Sequence, residues 1–271
     1  MITIGADPEF FVVSGWHFVS GHSFQFGAKD SPLRTSSGMI HNDGLALECN
    51  VYPSNTKQDF IKNVTSVIAD LQEHVTKLDD KAFVVARPSV FFGRRRLSCL
   101  PEFARDLGCV PDYNAYTGRR NPRPRSSSPI RTGSGHIHLG FARDADVDSG
   151  DHLFRCRVLI QQLDFFLGLP SLLWDTDNRR RTLYGKAGAF RPKGYGVEYR
   201  TLSNRWTADH DLIGFVFEAA QRAYSETQKG NLVFRDYPGY AERVINEGNA
   251  DWPDENPELY QYLTGGFFDA R

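Results

Sequence analysis

Apolar residues alternate with polar ones in several short segments of the chain and recur every three or four residues in longer segments. The first pattern is typical of strands with one buried face, and the second of amphipathic helices. Strands are predicted at residues 2–4, 9–13, 16–19, 23–26, 39–41, 45–51, 82–85, 89–92, 137–141 and 197–202. Helices are predicted from a cap at Ser54 or Asn55 to Leu78 and near residues 151–166, 209–228, 240–245 and 257–263.

The order of these segments predicts an α+β fold. The sequence Asn42-Asp43-Gly44 is a strong tight-turn signal, so residues 39–41 and 45–51 are expected to form a hairpin. Strands and helices do not alternate regularly, and no GxGxxG or GxxxxGK[ST] sequence is present. A mainly antiparallel sheet is therefore favoured over a Rossmann arrangement.

Composition indicates one soluble domain. The 271 residues are 40% hydrophobic and contain no internal repeat or long polar linker, so a single domain is expected over residues 1–271. The chain starts without the features of a signal peptide, and its longest apolar stretch, near residues 163–174, is too short to cross a bilayer. We therefore expect a cytoplasmic protein without membrane contact, with reduced thiols at Cys49, Cys99, Cys109 and Cys156.

Charge gives little indication of a partner, because 32 basic and 33 acidic residues leave a net charge of -1. One segment differs: residues 117–132 are rich in Arg, Pro, Gly and Ser and lack apolar periodicity, which predicts a mobile loop. With the arginine run 94–96, this loop suggests nucleic-acid binding as an alternative function. Its arginines are Arg119, Arg120, Arg123, Arg125 and Arg131.

Acids and imidazoles at alternate strand positions carry the candidate chemistry. Such residues point to the same side of a sheet, where hard ligands from several strands could hold divalent ions and a triphosphate. Each group also has a structural interpretation: surface carboxylates, satisfied sheet histidines, or a cross-strand salt bridge. The residues are Asp7 and Glu9, His136 and His138, Glu198 and Arg200, with Glu48 on the predicted hairpin.

These segments resemble a known family. GADPEFF at residues 5–11, GSGHIH at 133–138 and VEYR at 197–200 are similar to three strands of glutamine synthetase, in the same order. Further motifs, YGKAG at 184–188 and LSN at 202–204, resemble more closely the phage-type carboxylate-amine ligases of the glutamine synthetase and glutamate-cysteine ligase superfamily. The resemblance spans residues 1 to about 225 and implies a curved, mainly antiparallel catalytic sheet with helices on its outer face.

The resemblance also implies roles for individual residues. One Mg²⁺, or alternatively Mn²⁺, would be held by Glu9 and Glu48, and another by Asp7, His136 and Glu198. His138 would lie near ATP, and Arg200 would meet the acid substrate. An additional metal-binding Glu of glutamine synthetase is replaced here by Ile40, so either Asp43 substitutes or one ion has fewer ligands. Phosphate charge would be neutralised by Arg180, Arg181, Lys186 and Arg191.

The implied function is an ATP-dependent ligase that joins a carboxylate to an amine through an acyl phosphate, with Asp43 as candidate acceptor of the amine's proton. The substrates would be small molecules or modified polymers. A phosphotransferase on a similar sheet, as in guanidino kinases, is the alternative enzyme. The separate N-terminal domain of glutamine synthetase is missing, so an oligomer is possible but its dodecameric ring is not implied.

Overall fold

The computed structural model of the protein describes residues 2–98, 100, 112–122 and 128–269. Within these residues, ten strands form one antiparallel sheet, and β7 and β9 pair separately. The strands are β1 Thr3–Ser14, β2 His17–Val19, β3 Leu33–Arg34, β4 Gly38–Asp43, β5 Ala46–Ser54, β6 Ala82–Val85, β7 Ser89–Phe91, β8 Tyr113–Asn114, β9 Ile130–Thr132, β10 Gly135–Gly140, β11 Ala189–Lys193 and β12 Gly196–Tyr199.

Among the described residues, the five longest helices lie where helices were predicted, whereas four short ones were not predicted. The helix α3 continues through a π turn at Asp164–Gly168 into Leu169–Ser171, and 3₁₀ turns lie at Gly21–Phe24 and Asn204–Ala208. The α-helices are α1 Lys57–Leu78, α2 Arg94–Ser98, α3 Gly150–Leu163, α4 Asn178–Leu183, α5 His210–Lys229, α6 Val233–Asp236, α7 Tyr240–Glu247, α8 Trp252–Glu255 and α9 Pro257–Thr264.

The caps explain where the two longest helices begin. The side chain of Thr56 accepts a hydrogen bond from the Asp59 amide, so α1 starts just after the predicted cap. Asp209 accepts from the amides of Asp211 and Leu212 and starts α5, as predicted. Because these helices are amphipathic, their apolar faces are buried against the sheet.

The main sheet has the order β3-β4-β5-β1-β10-β12-β11-β8, which places β1 and β10 at its centre. One face is apolar, with Ile4, Leu47 and Leu139 fully buried in the core that includes α1, α3 and α5. The opposite face carries the polar residues of the same strands. The predicted α+β class with a mainly antiparallel sheet is confirmed.

Some local predictions were wrong. Residues 23–26 do not form a strand, because residues 21–24 form a 3₁₀ turn and Gln25 after it has a left-handed φ of 53°. The strands β3, β8, β9 and β11 were not predicted. Since β9 spans Ile130–Thr132, the end of the predicted Arg-rich loop is a strand.

Arg131 is buried in β9, whereas Arg119 and Arg120 are exposed. Arg123 and Arg125 lie outside the described residues, as do Cys99 and Cys109. Cys49 and Cys156 are free and buried. None of the helices in the described part of the chain combines the length and the apolar character that a bilayer crossing requires.

Candidate active site

The central strands β1 and β10 bring the first two motifs together. In their antiparallel register Asp7 lies opposite His136 and Gly5 opposite His138. Residues opposite each other point to the same face, and so do residues two apart on one strand. Asp7, Glu9, His136 and His138 therefore share the polar face of the sheet.

Two neighbouring strands complete this face. Glu48 of β5 lies opposite Glu9, and Glu198 of β12 lies opposite His138. The tight turn after Asp43 returns the chain from β4 to β5, with Gly44 at φ 57°, a conformation that favours glycine. Four predicted strands thus deliver acids and imidazoles to one surface.

The glycines before His136 allow close contact between backbones. A Cβ atom on Gly133 would lie 2.4 Å from the Arg87 carbonyl oxygen, and one on Gly135 would lie 2.5 Å from that of Ser203. Between them, the Ser134 amide donates to Glu9 Oε2 at 2.8 Å. The Gly-Ser-Gly sequence therefore fixes the position of the Glu9 carboxyl group.

The first carboxylate group consists of Glu9, Asp43 and Glu48. One carboxyl oxygen of each lies within 4.8 Å of the others. Burial and then the charge of Asp43 raise the pKa of Glu9 to about 8, and burial also raises the pKa values of Asp43 and Glu48. Glu48 Oε1 is buried without a hydrogen-bond partner among the described residues. A cation is the natural complement of these oxygens.

A second group combines Asp7, His138 and Glu198, again with ligand atoms within 4.8 Å of one another. His138 Nε2 lies 3.1 Å from Asp7 Oδ2. Burial would raise the pKa of Asp7, but the charges of His138 and His136 hold it well below its usual range. The histidine in this group is His138, which the resemblance had placed near ATP.

His136 lies beside the second group. Its Nδ1 is 3.0 Å from Asp7 Oδ1 and 3.5 Å from Glu198 Oε1, while its buried Nε2 has no hydrogen-bond partner in the described part of the chain. Burial and then the charge of Arg200 lower the pKa of His136 to about 4, so its imidazole is neutral at pH 7. A neutral imidazole can donate a lone pair to a metal ion.

Cations gather on the other side of Glu198. Arg200 contacts Glu198 through Nη1, and its Nε lies 2.6 Å from Asp112 Oδ1. Lys193 Nζ lies 2.8 Å from Glu198 Oε2, and Arg191 Nη1 lies 3.6 Å from the same oxygen. The polar face thus has an acidic half around Glu9 and a cationic half around Glu198.

Three predicted phosphate ligands have other surroundings. Arg180 is buried, and its guanidinium donates to the carbonyl oxygens of Thr201 at 2.6 Å and Leu202 at 2.7 Å. Arg181 donates to the Asp175 carbonyl at 3.1 Å and lies 3.6 Å from its carboxylate. The side chain of Lys186 is exposed on its loop. These contacts give Arg180 and Arg181 structural roles.

Several residues at the site were not predicted. Lys193 follows Arg191 by two positions on β11, so strand alternation would have found it had that strand been recognised.

Lys29 approaches Glu48 from a turn, with Nζ 3.8 Å from Oε1, and His41 Nε2 lies 3.6 Å from the same oxygen. Tyr195 contacts His138 Nδ1 through its hydroxyl group. No sequence pattern signals Lys29 or Tyr195, because their contacts depend on tertiary structure.

Comparison with protein families identifies the group to which this site belongs. The family model described as phage phiEco32-like COOH.NH2 ligase-type 2 matches residues 129–266, just over half of the chain. The chain belongs to this family. The match contains β10, β11 and β12, whereas Asp7, Glu9, Asp43 and Glu48 precede it in the sequence. The pairing of β1 with β10 joins these residues to the part that the ligase family defines.

Other comparisons add less. No curated protein matches this member of the ligase family. A crystal structure described as that of a novel glutamine synthase homolog is similar, with a TM-score of 0.44 and 11% identity over 83% of this chain. The chain spans about half the length of that protein, 55% of which is covered.

Proposed function

We propose that this protein is an ATP- and Mg²⁺-dependent carboxylate-amine ligase that forms an amide through an acyl phosphate. The observation that carries the proposal is the two groups of ligand atoms on one sheet face, beside a cluster of cations. Membership of a COOH.NH2 ligase family supports the bond that is formed. The metal, the nucleotide and the intermediate are part of the proposal.

The donor atoms fit divalent cations. Glu9, Asp43 and Glu48 offer carboxylate oxygens, the ligands that Mg²⁺ prefers, and the second group adds an imidazole to Asp7 and Glu198. The unpartnered Glu48 Oε1 and His136 Nε2 leave lone pairs available for an ion. Bound ions would neutralise the phosphates of ATP and polarise the phosphoryl group that is transferred.

The cationic half of the face suits the other charges of the reaction. A carboxylate is a poor electrophile, so it must first become a mixed anhydride with phosphate before an amine can displace the phosphate. Arg191, Lys193 and Arg200 can orient the acid substrate and stabilise negative charge on the transferred group. Guanidinium groups do this well, because their donors are fixed in a plane.

Asp43 is the candidate acceptor for the proton that the attacking amine loses. It stands at the end of β4, at the edge of the acidic half, where a cationic amine would be attracted. His138 and Tyr195 lie beside the second group and are candidates for contact with the nucleotide.

The test is to incubate the protein with ATP, Mg²⁺ and pools of acids and amines, following ADP release and new masses. A ligase releases ADP only when acid and amine are both present, and the product mass equals acid plus amine minus water. Release of ADP with one substrate alone, together with a phosphorylated product, would instead indicate a phosphotransferase. Glu198→Gln serves as the inactive control, and Glu218→Gln, an exposed acid on α5, as the active one.

A further inference from the structure

A cavity lies next to the acidic half of the polar face. It begins where β1 continues past Glu9 to Phe11 and where β5 starts after the turn at Gly44. Glu9 and Asp43 line both this cavity and the cleft above the two ligand groups, so the two spaces adjoin. Its apolar walls are Phe11, Leu45, Ala46, Ile130, Leu183 and Tyr184.

The acidic side chains of the cavity lie on one side of it. Its acids, Glu9 and Asp43, lie on the side of the ligand groups. The guanidinium of Arg131 also lines it, but donates to the carbonyl oxygens of Ser128 at 2.5 Å and Ile130 at 3.1 Å. The cavity therefore suits a molecule with an apolar body and a positively charged end.

The distribution of charge separates the two substrates of a ligase. Arg191, Lys193 and Arg200 lie around Glu198, on the half of the face that an acid substrate requires. Three carboxylates around a single divalent ion still leave negative charge, which Lys29 offsets only in part because its side chain is 69% exposed, and this charge attracts an ammonium group. An acid would be repelled there, so the amine is the substrate whose charge fits.

The size of the cavity limits the occupant. Its volume is ≈ 60 Å³. A single water molecule needs roughly 10–15 Å³ of such cavity volume, so the cavity has room for about four chemical groups the size of a water molecule. A short branched alkyl chain has this size, whereas a nucleobase is larger.

We infer that this cavity binds the short apolar side chain of the amine substrate while Glu9 and Asp43 hold the ammonium group. The inference deepens the proposed function and rests on it, since it assumes that the neighbouring face joins an acid to an amine. Ala46 and Leu183 then determine specificity by setting the depth of the cavity. Tyr184, whose ring lies under the Arg200 guanidinium at 5.3 Å, separates the amine from the acid.

Binding can be tested without turnover, using isobutylamine and isobutyrate as probes with the same alkyl group and opposite charge. Saturation-transfer NMR on the full chain with Mg²⁺ should show binding of isobutylamine that an excess of isobutyrate does not displace. Ala46→Leu on β5 and Leu183→Trp on α4 each fill part of the cavity and should each weaken isobutylamine binding at least about tenfold. Leu78→Trp, an equal enlargement at the exposed end of α1, should leave binding unchanged.

Displacement of isobutylamine by isobutyrate, or isobutylamine binding that survives both cavity variants, would overturn the inference. Both variants are checked by thermal unfolding, and Leu183 is the safer site because it is only partly buried. Failure of the proposed function looks different: isobutylamine would bind as expected, but no acid and amine pair would release ADP. In a working ligase assay, Leu183→Trp should reduce product from isobutylamine and spare that from hydroxylamine, which has no side chain.

Discussion

Folding of the protein brings the carboxyl groups of Glu9, Asp43 and Glu48 close together. Burial raises the pKa values of all three, which means that their ionised forms are unfavourable without a compensating charge. Lys29 is too exposed to provide this charge fully. A bound divalent ion would provide this charge. Metal binding should therefore raise the stability of the protein, and this effect can be measured separately from catalysis.

Mg²⁺ should stabilise the wild-type protein. An ion that binds only the native state adds about 2.7 kcal/mol to the free energy of unfolding at a concentration of 100 times its Kd. Tm measured in EDTA and then at increasing MgCl₂ should rise steadily, at constant ionic strength. No rise with either Mg²⁺ or Mn²⁺ would contradict the assignment of these carboxylates as metal ligands.

Glu48→Gln should separate metal binding from folding. The variant loses one metal-ligand oxygen, so turnover should fall at least about 100-fold and the Mg²⁺-dependent rise in Tm should shrink. In EDTA its Tm should equal or exceed that of wild type, because a crowded buried carboxyl group has been removed. Glu218→Gln is the matched control at an exposed site. A Glu48→Gln protein that unfolds in EDTA would show instead that this carboxyl group is needed for the fold.

At the level of strands and helices, alternation predicted which residues share the polar face. Asp7, Glu9, His136 and Glu198 could be assigned to it because the side-chain period of a strand is independent of the rest of the fold. The sequence could not show that Asp43 reaches Glu9, since this depends on the pairing of β4 through β5 with β1. Nor could it show that Lys193 belongs to the site, because β11 contains Pro192 and was not recognised as a strand.

Arginines show a limit of sequence patterns. A run of arginines predicts phosphate binding, but their neighbours decide whether the guanidinium groups are available. The helix α4 buries Arg180 against the segment after β12, where it satisfies carbonyl groups. Arg191, on β11, remains near Glu198 on the polar face. The two arginines should therefore respond differently to substitution.

Arg180→Met should destabilise the protein by about 2–5 kcal/mol, because two buried carbonyl groups lose their donor. Arg191→Met should change the free energy of unfolding by less than about 1 kcal/mol while lowering turnover, because Arg191 is partly exposed and Glu198 keeps Lys193 and Arg200 as partners. Urea unfolding and ADP release, measured on both variants, test this. Equal loss of stability in the two variants would show that Arg191 also has a mainly structural role.

Across the whole molecule, one buried acid connects the far side of the sheet to the loop of residues 184–188. Asp164, in the π turn after α3, accepts hydrogen bonds from the hydroxyls of Tyr199 and Tyr116 and from the Gly188 amide. The amide of Ala187, the residue before Gly188, donates a hydrogen bond to the side-chain oxygen of Asn246 on α7. The sheet, the π turn and the loop thus meet at a side chain that the sequence did not distinguish from other acids, and α7 joins them through Ala187.

The pKa of Asp164 makes this network sensitive to pH. Burial raises its pKa to about 7, although the hydrogen bonds from Tyr199, Tyr116, Gly188 and Thr201 lower it. In the unfolded chain the value is about 3.9, so between these values the native state binds more protons than the unfolded state. The stabilising contribution is complete below pH 4 and is lost as the pH rises through 7. The titratable groups that contact Asp164 are Tyr116 and Tyr199, and the charge of Glu242 acts in turn on Tyr116. The pKa values of both tyrosines are raised above 10.

Asp164→Asn should remove the pH-dependent contribution of Asp164 to the free energy of unfolding, whatever the variant's absolute stability. The free energy of unfolding of wild type, minus that of the variant, should fall by up to about 1.4 kcal/mol per pH unit between pH 5 and 7 and level off above pH 8. Urea unfolding of both proteins in EDTA at pH 5, 6, 7 and 8 measures it. A difference that stays constant would mean that the four hydrogen bonds keep Asp164 ionised throughout. The carboxylate rather than the protonated acid would then be the form that holds the loop to the sheet.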